Sequence, residues 1–186
     1  KELGLKDDDF VVMSIGQISN RKNQKVIIEA ISMIANPKIK YVIVGFGEME
    51  EKLKKIAEEL HVTDRIIFAG YRQDAKALLH CADLFAFPSL QEGLPASLME
   101  AMSVGLPAVA SSIRGNIDLI HDGENGYLCN SNDAIDFSNK IYTIYSNRDV
   151  SNKMESNTKR IIKRFDCKIV QNMMKDLYYE EGGNDI

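Results

Sequence analysis

Six short apolar runs, spaced by longer segments of helical periodicity, constrain this chain more than any other feature. They read FVVMSIG, KYVIVG, RIIFAG, DLFAFP, PAVASS and GYLC. Each is almost continuously hydrophobic, as strands buried on both faces of a parallel sheet are. Helices are expected between and after them at Gln24–Ala35, Glu48–Leu60, Ala75–Cys81, Pro95–Val104, Ile117–His121 and Ala134–Tyr145. That alternation predicts a doubly wound α/β layer around a parallel sheet. Ligands of such sheets sit beyond the carboxyl ends of the strands, so the polar turns after the strands are where site residues belong. At 186 residues the chain is long enough for one domain with a substantial core.

One turn carries more chemistry than the others. In SLQEGLPASLMEAMSVGLPAVAS, Glu92 precedes a Gly-Leu-Pro turn and Glu100 follows inside a helix. Pro95 suits the first helical position, where its missing N–H costs nothing. Gly105 and Pro107 mark the helix end, because glycine takes a left-handed conformation there and proline cannot continue the spiral. The amides of Gly93, Leu94, Ala96 and Ser97 should then point out of the helix N-terminus. Unpaired N–H groups and the helix dipole both favour an anion at that place. Two carboxylates for hydroxyls, on either side of a phosphate cradle, suggest a nucleotide-sugar.

Composition excludes several other classes. A net charge of −4 argues against a general nucleic-acid binder. No apolar run reaches the ~20 residues that span a bilayer. The first residues, KELGLKDDDF, are charged and do not resemble a signal peptide; the chain reads as a fragment of a longer protein. Cys81, Cys129 and Cys167 lie far apart without metal-ligand spacing, as reduced cytosolic thiols do. With no Asp-x-Asp or histidine cluster, no divalent ion is expected.

The E-x7-E of EGLPASLME, with EAMSVGLPAVAS after it, closely resembles the C-terminal donor-binding domain of family 4 (group 1) retaining glycosyltransferases of the GT-B fold. The resemblance runs in order through DDFVVMSIGQISNRKNQKVIIEAI, YVIVGFGEMEEKL, RIIFAGYRQD, ADLFAFPS and IHDGENGYLCNSND. It implies a Rossmann-like three-layer domain with a central sheet of about six strands, the whole of 1–186 being one nucleotide-sugar-binding domain. A helical tail at about 149–180 would close it, and an N-terminal acceptor domain would complete the cleft. It also implies a retaining transfer of a hexose or related sugar, a UDP-sugar donor, a lipid-linked or saccharide acceptor, and a bacterial role in polysaccharide or glycolipid assembly. A cytoplasmic location follows, with peripheral contact to the inner face of the membrane left open.

The resemblance also assigns residues. Lys22 matches a lysine that faces the donor diphosphate, and Glu92 contacts the donor hexose. Glu100 accepts from the ribose hydroxyls, as an acceptor-only carboxylate can. Gly16, and Gly45 with Gly47 in VGFGEME, line the donor site. Gly70, Tyr71 and Arg72 match the turn whose backbone meets the nucleobase, with Tyr71 either stacking on the base or packing locally. Lys22 and the amides of Gly93 and Leu94 would stabilise the leaving diphosphate without a metal.

Departures from the family pattern leave alternatives. Gln17 stands where the family has an arginine, so either Arg21 or Gln17 takes over that phosphate contact. Arg114, Gly115 and Asp118 replace a glycine pair and a glutamate. Gly123 and Gly126 look like turn glycines. The cations Lys153, Lys159, Arg160, Lys163, Arg164 and Lys168 form either a solvated helix face or a membrane-surface patch. His61, His80 and His121 read as structural, and Met99, Met102, Met154, Met173 and Met174 as core fillers. Residues 181–186 read as a frayed end. A glycosidase reading of the two glutamates is set aside, because both lie on one loop–helix unit beside a phosphate site. A sugar-nucleotide epimerase of the same fold and a non-catalytic nucleotide-binding module remain alternatives.

Overall fold

The computed structural model describes residues 2–166 together with Lys168, Ile169, Gln171, Asn172 and Lys175. Cys167, Met173, Met174, the end of the expected tail and residues 181–186 lie outside the described residues. All six apolar runs form strands: β1 Phe10–Ile15, β2 Ile39–Val44, β3 Ile66–Gly70, β4 Leu84–Phe87, β5 Ala108–Ser111 and β6 Gly126–Cys129. Every pairing is parallel, in the order β3-β2-β1-β4-β5-β6. This is the strand order of a Rossmann-like sheet, whose direction of winding reverses between β1 and β4.

Helices α1 Gln24–Met33, α2 Glu50–Glu59, α3 Ala75–Leu78, α4 Ala96–Ser103, α5 Ala134–Ser146 and α6 Arg148–Ile162 connect and cover the strands. Successive strand residues feed opposite faces, as the two-residue period demands. Val12, Tyr41, Ile43, Ala86 and Val109 join α1, α2 and α5 in one core. Val11, Met13, Val42, Phe85 and Ala110 join α4 and α6 in the other. Met102 and Met154 are buried in these cores, and Met99 packs against the second of them. Helix α6 buries Met154, Thr158 and Ile161 at helical spacing and leaves the tail cations exposed.

Some expectations need correction. Ile117–His121 is not a helix; the β5–β6 connection is a run of turns. There Asn116 and Asn125 donate side-chain amides to the carbonyls of Ser111 and Leu119, offering the backbone an alternative to helix. Pro95 caps α4 instead of entering it, at φ −80 and ψ 69, so the helix starts one residue later. Gly105 does take the left-handed conformation, at φ +95. Gly123 is a turn glycine, but Gly126 begins β6, where a Cβ would lie 2.2 Å from the Ala108 carbonyl oxygen.

Candidate functional site

The crevice at the winding reversal is built from the loops after β1 and β4. Gly16 follows β1 at φ +148, a conformation that favours glycine, and Lys22 lies beside it, its Cε at ordinary contact distance, 3.5 Å, from where a Cβ would stand. The chain turns back at Asn23, which is left-handed at φ 53. Its side-chain amide donates to the Ser131 carbonyl at 2.7 Å and to the Pro88 carbonyl at 3.3 Å, tying this turn to the ends of β4 and β6. The Leu90 amide donates to the Arg21 carbonyl at 2.8 Å, fastening the two loops edge to edge.

Across this seam the charges converge. Lys22 Nζ lies 2.8 Å from Glu92 Oε1 and 4.7 Å from the centre of the Phe87 ring. The same carboxylate oxygen takes Arg21 Nη1 at 3.2 Å, while Arg21 also donates to the Gln91 carbonyl at 2.9 Å. Glu92 and Lys22 side chains are 7% and 14% exposed, against 51% for Arg21. The buried pair is therefore Lys22–Glu92, and Arg21 reaches it from solvent. Gln17 is exposed; its carbonyl accepts from Gln24 Nε2 at 2.9 Å.

Beside Glu92 the N-terminus of α4 is open. Among the described residues the amides of Gly93, Leu94 and Ser97 have no hydrogen-bond partner, and Gly93 and Leu94 are exposed. The Ala96 amide, expected to be free with them, instead donates to the Leu94 carbonyl at 2.9 Å. Gly115 backs this loop: a Cβ there would stand 2.9 Å from the Gly93 carbonyl oxygen. Sequence patterning marked Gly115 only as a departure, because the contact joins segments distant in the chain.

On the other flank, β2 and β3 end in VGFGEME and GYRQD. A Cβ on Gly45 would fall 1.9 Å from the Gly16 carbonyl oxygen, and one on Gly47 2.1 Å from that of Ile18. Both glycines serve backbone contact between the β1 and β2 loops. Ile15, Gly16, Val44, Phe46, Tyr71 and Arg72 line a mostly apolar pocket of ≈ 420 Å³. At its edge Phe46 and Tyr71 are 65% and 70% exposed and meet edge to face, with ring centres 6.2 Å apart. Sequence reading overlooked Phe46; an aromatic residue between two loop glycines was the available signal.

Arg72 is held in place by acids. It bonds Asp74 at 2.8 Å and Glu2 at 2.5 Å. Asp74 and then Glu2 keep its guanidinium more firmly protonated than usual, and Arg72 holds both carboxyls below their ordinary range. Glu100 lies mid-helix on α4, partly exposed, with Lys76 Nζ of α3 at 3.0 Å. Among the described residues no cluster of three or more His, Cys, Asp or Glu side chains is placed to hold a metal. His80 and His61 are exposed outside this crevice, and His121 faces Glu124 at 3.3 Å.

The sheet order, with an open helix N-terminus and an apolar pocket beside its winding reversal, defines an α/β domain of the Rossmann-like class. The chain belongs to the group 1 glycosyl transferases, whose family model matches residues 1–161. It is 33% identical, over 97% of its length, to the UDP-Gal:alpha-D-GlcNAc-diphosphoundecaprenol alpha-1,3-galactosyltransferase of Escherichia coli. It is 30% identical, over 94% of its length, to the putative glycosyltransferase EpsD of Bacillus subtilis (strain 168). The chain spans about half the length of these curated relatives, 48% and 46%. Among solved structures, Anabaena HepE in complex with UDP and glucose superposes with a TM-score of 0.86 at 28% identity, over 95% of this chain and 50% of that one.

Proposed function

We propose that this domain binds the nucleotide-sugar donor of a retaining glycosyltransferase, a UDP-sugar. The intact protein then transfers a hexose or related sugar to an acceptor hydroxyl in polysaccharide or glycolipid assembly. One observation carries the reading: Lys22 and Arg21 converge on Glu92 at the winding reversal, beside the open amides of α4. Two cations and a row of N–H groups are suited to a diphosphate, and the neighbouring carboxylate to sugar hydroxyls.

In this mechanism the diphosphate takes Lys22 and Arg21 from Glu92, which turns its freed oxygen to the hexose. As the anomeric bond breaks, charge grows on the leaving phosphate. Lys22, Arg21 and the amides of Gly93 and Leu94 stabilise it from fixed positions. These groups supply the positive charge a divalent ion would otherwise bring, so the reaction is metal-independent. Arg21 supplies a weaker, solvent-exposed part of the contact that the family's arginine makes at position 17, because it already reaches the Glu92 carboxylate. Tyr71 and Arg72 form a wall of the base pocket, and Glu100 exchanges Lys76 for the ribose hydroxyls. UDP and glucose bound in the HepE complex support the donor class.

A second domain supplies the acceptor side, in keeping with relatives about twice this length. The diphosphoundecaprenol in the name of the E. coli relative supports a lipid-linked acceptor and a cytoplasmic protein that works at the membrane surface. No helix among the described residues is long and apolar enough to cross a membrane. The test is to incubate the intact protein with several UDP-sugars and measure released UDP, with and without a chelator. Glu92→Gln should retain UDP binding and lose at least about 100-fold in transfer, the scale of an interaction made with the reacting sugar. Interconversion of the sugars without release would point to an epimerase, and binding without turnover to a non-catalytic module. Loss of activity with the chelator would overturn metal independence.

A further inference from the structure

Behind Lys22, two buried polar atoms lack a protein partner, and their residues line the same small cavity. They are Gln24 Oε1 and Ser89 Oγ, on residues 3% and 0% exposed. Ser14, Lys22 and Phe87 complete the polar and aromatic part of the wall. Lys22 Nζ sits over the Phe87 ring, which puts the ammonium at the cavity's edge. Ser14 has no proton to offer, since it donates to the Ala86 carbonyl at 2.6 Å. Its 2.8 Å contact with the Tyr41 hydroxyl is therefore one it accepts.

Buried polar side chains in native proteins are satisfied by protein or by ordered water. The cavity has ≈ 10 Å³ open to a water-sized sphere. That is about the minimum for a single water, which also needs two to four polar partners. The partner chemistry is selective. A cation here would meet the Lys22 ammonium, and an anion would meet the Gln24 oxygen, which only accepts. A neutral molecule that donates and accepts suits an acceptor, a hydroxyl and an ammonium together.

We propose that this cavity is a binding site for one water molecule, which donates to Gln24 Oε1, bonds Ser89 Oγ and steadies Lys22 toward the crevice. Gln24 and Ser89 are then positioning residues for Lys22. That consequence rests on the reading of Lys22 as the diphosphate cation; the water site itself does not.

Two measurements test it. A crystal structure fine enough to show ordered water should place a density peak within hydrogen-bond distance of both atoms. Ordered side chains around an empty cavity would overturn the site. Ser89→Ala removes one partner of the water and breaks no other hydrogen bond. In the intact protein, calorimetry with UDP and with uridine should show UDP affinity falling about 3- to 10-fold, the size of one lost hydrogen bond, with uridine affinity unchanged. Ser89→Cys, which keeps the shape but bonds water weakly, gives the same comparison if the alanine variant does not fold. Equal losses for both ligands, or none, would overturn the positioning role. Should the unsubstituted protein fail to bind UDP, the diphosphate reading falls, and the crystallographic peak still decides the water.

Discussion

The two flanks of the crevice are held together by different physics. On the β1–β4 side, charge does the work: Lys22 and Glu92 are nearly buried, paired, and joined by Arg21. On the β2–β3 side, an apolar pocket opens beneath two exposed aromatic rings, and its one cation, Arg72, is already taken by Asp74 and Glu2. A buried ion pair is costly to leave half-made, so the first flank is fixed before any ligand arrives. Exposed rings lose nothing by waiting for a flat partner. The contrast suits a ligand with a charged end and an aromatic end, and it divides binding energy between them.

Four substitutions would sharpen or break that division. The largest effect is expected at the joint between the flanks. Gly45→Ala drives a Cβ into the Gly16 carbonyl oxygen at φ +141. It should cost about 3 kcal/mol or more, from left-handed strain and overpacking together. The melting temperature would drop by roughly 6–12 °C in a domain of this size; an unshifted melting curve refutes the close approach. Next, Lys22→Ala should weaken UDP about 10- to 100-fold, the range of a lost charge-assisted bond, and leave uridine untouched. A parallel loss for uridine would mean that the charged flank does not act on phosphate alone.

Tyr71→Ala should cost about 10-fold for UDP and uridine alike, the size of one base–aromatic stacking contact. If calorimetry finds affinity unchanged, Tyr71 merely packs against Phe46, the other reading its sequence position allowed. Arg21→Ala stands last. At 51% exposure its ion pair is screened by water. A loss of about 3-fold or less for UDP is expected, shrinking further at high salt. A drop as large as that of Lys22→Ala would make Arg21 a full replacement for the missing arginine.

Much of the fold was legible, and the reason differs by element. The inner strands β1, β2, β4 and β5 were readable because they are almost wholly buried and so nearly apolar throughout, and the edge strands β3 and β6 keep an apolar run at partial burial. Helices α1, α2 and α5 followed from periodicity, with ends misplaced by a residue or two where capping was not foreseen. Ile117–His121 failed because two buried asparagines hold that loop through side-chain bonds to carbonyls five and six residues back, which leave no period in the sequence. At the site, Glu92, Lys22 and the α4 amides could be placed from the motif. Their distances could not, nor could the Ala96 amide's loss to the Leu94 carbonyl. Phe46 stayed hidden because its meaning depends on Tyr71, which reaches it from another strand end.

By itself the sequence determined the alternation of strands and helices, and hence an α/β layer with polar turns at one edge of the sheet, because burial on both faces dictates composition directly. It also supplied a helix start flanked by glutamates. Only the tertiary structure decided which charges meet. Lys22 and Glu92 lie on separate turns and come within 2.8 Å because β1 and β4 are neighbours in the sheet. Strand order is set by how helices pack across the whole layer, and no local stretch of residues carries that information.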